Sequence, residues 1–127
     1  PVTPRYGHLV LARFGKYHWP SIVVYPGTAP RDTCRQLGIR LDGTHTFAKH
    51  MVYYCADNTF GLASNRDIMD WSQELADKMI KKVPSREKEK FLRAVEEAKS
   101  CEDMTYLERL NWLNWEEKEL PASVIES

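Results

Sequence analysis

Two short apolar runs near the start of the chain predict a β-hairpin. Residues 8–14, HLVLARF, place alternate side chains on opposite faces, as strands do. Residues 21–26, SIVVYP, are rich in β-branched side chains, which favour strands. We expect the two strands to pair across a corner at residues 15–20. Aromatic side chains, among them Tyr17 and Trp19, stand in that corner, where a turn does not need them.

A second pair of strands is predicted further along the chain. Residues 50–56, HMVYYCA, and residues 59–64, TFGLAS, flank the turn dipeptide Asp-Asn at 57–58. A short strand-like remnant at 68–71, IMDW, is expected to complete the sheet. The glycine- and proline-containing stretch at 26–49 is predicted to be a long connection that holds a short helix.

The spacing of apolar residues becomes helical after Trp71. One helix is predicted between the N-cap Ser72 and the breaker Pro84. In the next helix the apolar residues fall at i, i+3, i+4 and i+7 on one face, namely Phe91, Ala94, Val95 and Ala98. A third helix is expected from about 102 to 119.

The order of these elements, strands first and helices afterwards, predicts an α+β fold. We expect a small antiparallel five-stranded β-barrel over residues 1–71, followed by a C-terminal helical bundle over 72–120 that packs on it. Residues 121–127 are predicted to be a frayed tail. The 127 residues are 43% apolar and 28% charged, which suits one globular domain.

The formal net charge is zero, but the charges are segregated along the chain. Residues 78–93 carry seven basic side chains against two acidic ones, whereas residues 96–126 carry nine acidic side chains against three basic ones. The three cysteines lie far apart and fit neither a disulfide framework nor a zinc motif, which favours reduced thiols. The sequence holds no catalytic motif and no apolar run long enough to cross a membrane, so we expect neither an enzyme nor a membrane protein.

Five motifs resemble one known family. Residues 7–13, GHLVLAR, are similar to its first strand, G-x-L-V-x-A-K, and residues 17–20, YHWP, keep the last two letters of its name-giving tetrapeptide. Residues 53–57, YYCAD, and residues 59–64 resemble its third and fourth strands, and residues 91–98 resemble its C-terminal helix. On these motifs the chain resembles a PWWP domain, a Tudor-like module of chromatin proteins.

The resemblance implies an aromatic cage for a methylated lysine, built from Phe14, Trp19 and Tyr53. A trimethylammonium group keeps its charge but has no N–H to donate, so aromatic faces hold it better than carboxylates or water do. Each ring contributes on the order of 0.5 to 2 kcal/mol once water is excluded. Asp57 is the candidate for an acidic group at the rim. Because ordering a flexible tail consumes much of this energy, we expect roughly micromolar to millimolar affinity.

Clustered basic side chains neutralise phosphates without reading bases. We therefore expect nonspecific contacts with nucleosomal DNA through a set of eight residues: Lys16, Lys78, Lys81, Lys82, Arg86, Lys88, Lys90 and Arg93. A weak peptide contact and a weak DNA contact on one nucleosome combine into one useful binding event through effective concentration.

An alternative hypothesis is a DNA or protein interaction module whose cage is closed and binds no methyl-lysine. The partners implied by the resemblance are a methylated histone tail and nucleosomal DNA, the location is the nucleus, and no cofactor or metal is expected. Because the chain begins at Pro1, we expect it to be part of a larger nuclear protein.

Overall fold

The computed structural model describes residues 4–26, 31–38 and 49–113, without the side chain of Arg31. The strands of this part are β1 (Leu9–Phe14), β2 (Tyr17–Val23), β3 (Lys49–Tyr54), β4 (Thr59–Ser64) and β5 (Ile68–Asp70). Its α-helices are α1 (Arg31–Leu37), α2 (Gln73–Met79), α3 (Ser85–Cys101) and α4 (Tyr106–Trp112). Short 3-10 turns at Asn65–Asp67 and Ile80–Lys82 connect β4 to β5 and α2 to α3.

The five strands form one antiparallel sheet in the order β4-β3-β2-β1-β5. Residues 9–12 of β1 are buried, so side chains of this strand are covered on both faces of the sheet. Within the sheet β1 lies between β2 and β5. In the described ranges β4 and β5 are the edges of the sheet and do not pair with each other, so the sheet is open. The predicted α+β class is confirmed, but the sheet does not close into a full barrel. The second strand begins at Tyr17 and not at residue 21, so residues 17–20, which were expected in the corner, pair with β1.

Helix α3 covers the sheet with the face that its sequence predicts. Phe91, Ala94, Val95 and Ala98 are all buried, and the ring of Phe91 meets the indole of Trp19 on β2 edge-on, with 5.2 Å between centroids. Burying a side chain of this size contributes about 2 to 3 kcal/mol. The helix therefore forms the back wall behind the β1–β2 hairpin.

Hydroxyl side chains cap the N-termini of two helices, α2 and α4. Ser72 caps α2 as predicted, its hydroxyl accepting a hydrogen bond from Leu75 N at 3.0 Å. The helix expected from about residue 102 begins instead at Tyr106. There the Thr105 hydroxyl accepts from Glu108 N while the Glu108 carboxylate accepts from Thr105 N, a capping box that fixes the start of α4. The part of this predicted helix beyond residue 113 lies outside the described residues.

A buried arginine joins the start of β1 to the two last helices. The guanidinium of Arg109 donates to the carbonyl oxygens of Cys101, Gly7 and Glu102 at 2.9, 3.0 and 3.2 Å. Gly7 has φ +89° and lies against the backbone of Tyr106, so closely that an added Cβ would overlap the Tyr106 carbonyl. Only glycine fits this position, and Arg109 holds the contact together.

Candidate functional site

Four aromatic rings meet where the β1–β2 hairpin turns: Phe14, Tyr17, Trp19 and Tyr54. The Phe14 ring lies between the Trp19 indole and the Tyr54 ring, with centroid distances of 5.1 and 4.6 Å. The Tyr17 ring lies 6.5 Å from the indole. Phe14 and Tyr17 are half-buried, whereas Trp19 and Tyr54 are buried. We refer to these four side chains as the corner cluster.

The indole of Trp19 is held on three sides. Its Nε1–H donates to the Cys55 carbonyl at 2.8 Å, Phe91 abuts its face edge-on, and Phe14 lies against it from the corner. The side chain has no exposed surface. In this conformation the indole is packed as a core residue, and the corner cluster is closed over it.

Tyr54 is the tyrosine of β3 that joins the corner cluster. Its hydroxyl donates to the Arg13 carbonyl at 2.9 Å, and its ring covers Gly61, where an added Cβ would lie 2.7 Å from the Tyr54 hydroxyl oxygen. Burial, assisted by the charges of Asp57 and Asp67, raises the pKa of Tyr54 to about 12.

Tyr53, expected as the third cage wall, lies on the other face of β3. Its ring meets Phe60 and Trp112 edge-on, with centroids 5.7 and 6.2 Å away, and its hydroxyl is 2.9 Å from both Asn58 Oδ1 and Glu97 Oε1. Burial, and then the hydrogen bond with Glu97, raises the pKa of Tyr53. The structure thus brings Phe14 and Trp19 together as predicted but puts Tyr54, not Tyr53, beside them, because neighbouring residues of a strand face opposite ways.

Asp57, the candidate for an acidic rim, already has partners in the turn after β3. Its carboxylate accepts from the Thr59 hydroxyl and from Lys90 Nζ, the latter at 2.9 Å. Burial alone would raise the pKa of Asp57, but these two hydrogen bonds outweigh it and hold the pKa below its ordinary value. Lys90, predicted as a DNA contact, therefore forms an ion pair with Asp57. Its Nζ also lies 3.8 Å from Oε2 of Glu87.

The remaining predicted DNA contacts divide into paired and unpaired cations. Lys78 and Arg93 form ion pairs with Glu74 and Glu89 at 3.5 and 3.1 Å. Five others are exposed and, within the described part of the chain, have no hydrogen bond or ion pair: Lys16, Lys81, Lys82, Arg86 and Lys88. We call these five the basic surface.

His18 lies on the face of β2 opposite Tyr17 and Trp19, since consecutive residues of a strand face opposite ways. Partial burial lowers the pKa of His18, and the positive charges of Arg13 and Lys82 lower it further, while Asp67 opposes them. Lys82 of the basic surface is thus within electrostatic reach of the β1–β2 hairpin, on the face that does not carry the corner cluster.

The described residues contain neither a candidate metal site nor a disulfide. No three His, Cys, Asp or Glu side chains of this part of the chain are grouped so that they could hold a metal ion. Cys34, Cys55 and Cys101 are buried and are not joined in disulfides. None of the described helices is long and apolar enough to cross a membrane.

Comparisons with known proteins agree with the motifs. The family model described as the PWWP domain matches residues 7–103. A PWWP domain from Schizosaccharomyces pombe, solved in solution, has a TM-score of 0.58 at 17% identity, over 78% of this chain and 87% of that chain. The second PWWP domain of the WHSC1L1 protein has a TM-score of 0.51 at 15% identity, over 95% of this chain and 97% of that chain. No curated protein sequence matches the chain.

Proposed function

Because the chain belongs to the PWWP domain family, a chromatin-associated family of binding modules rather than enzymes, we propose that it is a nuclear reader of histone tails. The corner cluster would take a trimethylated lysine, and the basic surface would take nucleosomal DNA. The observation that carries this proposal is the convergence of four aromatic rings at one exposed corner of the sheet.

The chemistry of the corner cluster suits a quaternary ammonium group. Neutral aromatic rings attract a cation through their π-faces, and methyl groups let the cation leave water at low cost. The two half-buried rings, Phe14 and Tyr17, lie at the surface, and the two buried rings, Trp19 and Tyr54, lie behind them. With three rings on the cation the gross attraction is about 2 to 6 kcal/mol, much of which the ordering of the tail offsets.

Binding requires the cluster to open. Since Trp19 has no exposed surface and Phe14 lies between it and Tyr54, a ligand reaches the indole only after the Phe14 ring swings outwards. The next residue, Gly15, has φ +65°, and a Cβ added there would meet no atom within 4 Å, so the turn beside Phe14 is not packed against other residues. The closed state reduces the observed affinity by the fraction of molecules that are open.

The burial of Trp19 also favours a second candidate function. If the cluster does not open, the domain is a DNA or protein interaction module without methyl-lysine binding. Two observations favour this function: the Trp19 indole donates a hydrogen bond to the Cys55 carbonyl, and it packs against Phe91.

DNA binding through the basic surface rests on separate residues. Each phosphate that a cation neutralises releases counterions, so five contacts give a slope of about −4.5 for log K against log salt concentration. Lysines and arginines without internal partners lose no ion pair when they meet a phosphate. A histone tail and the DNA beside it would then be held together by two weak contacts.

A matched pair of aromatic variants tests the proposal. Tyr17→Ala removes a half-buried ring of the corner cluster and leaves Phe14 in place, whereas Phe60→Ala removes a half-buried ring at the Tyr53 side of the sheet. We expect Y17A to weaken binding of a trimethylated histone peptide at least about tenfold and F60A to leave it within about twofold, the loss of one cage ring being worth roughly 1.4 kcal/mol. Equal affinity of wild type for trimethylated and unmodified peptides would instead support the second candidate.

A further inference from the structure

A polar cavity of about 390 Å³ lies at the opposite end of β1 from the corner cluster. Six of its lining residues carry the argument: His8, Asp70, Trp71, Glu102, Tyr106 and Arg109. His8 precedes Phe14 by six residues of extended chain, which is a separation of about 20 Å. The cavity is therefore a separate site, at the junction of the sheet with α3 and α4.

Two carboxylates border this cavity and have capacity to bind a cation. Asp70 Oδ1 is 2.6 Å from His8 Nε2, and the Asp70 side chain is 69% exposed, which leaves its second oxygen accessible. The Glu102 side chain is exposed and has no hydrogen bond or ion pair to any residue that the structure describes. Both residues line the same cavity.

The charge of Arg109 is already compensated. Its three hydrogen bonds go to backbone carbonyls, and two of these, Cys101 and Glu102, belong to the C-terminal end of α3, where the helix dipole is negative. The guanidinium therefore does not consume Asp70 or Glu102 by pairing with them. Both carboxylates remain available to a ligand.

The Tyr106 ring beside the cavity is already covered. Tyr106 stacks on His8 with 5.8 Å between centroids and 17° between planes, and the guanidinium carbons of Arg5 and Arg109 lie 5.1 and 5.4 Å from its ring centroid. A cationic ligand would therefore bind through the two carboxylates and not on this ring. Trp71 Nε1, on the same cavity, is buried and has no acceptor within the described ranges, so its hydrogen is still available.

From this juxtaposition we propose that the cavity binds an arginine side chain of a partner peptide. The guanidinium lies between Asp70 and Glu102, and a carbonyl of the same peptide accepts a hydrogen bond from Trp71 after a small turn of the indole. Arginine suits the cavity better than lysine, because its planar fork meets two carboxylates at once and is more weakly hydrated.

The indole N–H resonances of the ¹⁵N-labelled domain provide the test, since Trp71 reports on this cavity and Trp19 on the corner cluster. The probe is acetyl-Gly-Arg-Gly-amide, and the matched control is the citrulline peptide, which has the same shape without the charge. We expect a saturable shift of the Trp71 signal, with a Kd on the order of millimolar, and an unmoved Trp19 signal. Wild type should show no such shift with citrulline.

Two glutamine variants on α3 complete the experiment. Glu102→Gln should weaken the arginine peptide by about three- to fivefold, the factor expected for one partly exposed ion pair. Glu96→Gln, at an exposed position 4.0 Å from Lys99, should leave the affinity unchanged. No shift of Trp71, an equal response to citrulline or to a lysine peptide, or an unaffected E102Q variant would each overturn the proposal. Because none of these readouts involves a methylated lysine, the result is independent of the function proposed above.

Discussion

Replacing the buried Arg109 with methionine is expected to destabilise the domain by about 2 to 4 kcal/mol. Methionine fills much of the same space but leaves the carbonyls of Gly7, Cys101 and Glu102 without their donor. Gly7 and Cys101 are buried, and each unsatisfied carbonyl costs about 1 to 3 kcal/mol. Glu102 is exposed, so its carbonyl can turn to water. Release of the guanidinium from its buried position offsets part of the loss.

Urea unfolding followed by tryptophan fluorescence measures this change as a shift in the unfolding midpoint at constant slope. Arg66→Met, on the exposed 3-10 turn before β5, is the matched control and should change the free energy of unfolding by less than about 0.5 kcal/mol. If R109M were as stable as R66M, the three hydrogen bonds would not be joining the helices to β1, and the reasoning would fail.

Three other predictions concern the turn after β3 and the basic surface. Ala56 has φ 61°, so Ala56→Gly should raise stability by about 0.5 to 1 kcal/mol in thermal unfolding; a lower melting temperature would contradict this. The folded pKa of Asp57 is lowered, so its contribution is present above its unfolded pKa of about 4 and is lost as the pH falls through the folded value. Wild type should therefore lose more stability in acid than Asp57→Asn, and an identical acid profile would argue against it. Replacing three lysines of the basic surface with glutamate should flatten the salt slope of DNA binding by about 3, while Lys99→Glu leaves it unchanged; an equal effect of both would remove the basic surface from the proposal. The three lysines are Lys81, Lys82 and Lys88.

Short-range patterns in the sequence predicted most of the fold. The strands, the N-cap at Ser72 and the buried face of α3 follow from residues within a few positions of one another. The resemblance to PWWP domains, which five local motifs carry, is confirmed by the family match over residues 7–103. The start of α4 at Tyr106, later than the expected residue 102, also had a local signal in the capping sequence from Thr105 to Glu108. The prediction followed the spacing of apolar residues and did not use this signal.

The candidate site depends on long-range contacts that the sequence does not display. The adjacent tyrosines on β3 differ in which face of the sheet they lie on. The contact of Tyr54 with Phe14 therefore depends on the registers of β1 with β2 and of β2 with β3. The ion pair between Asp57 and Lys90 spans 33 residues and removes one cation from the predicted DNA contacts. The Trp19 indole also packs against Phe91, which belongs to α3 and is distant in sequence.

The central claim is that the corner cluster opens to take a trimethylated lysine. The most direct measurement is a titration of the ¹⁵N-labelled domain with trimethylated and unmodified copies of one histone peptide, followed at the Trp19 indole N–H, which donates to the Cys55 carbonyl. We predict a saturable shift of this resonance with the trimethylated peptide alone. A Trp19 signal that stays fixed at saturating peptide, or moves equally with both peptides, would contradict the account.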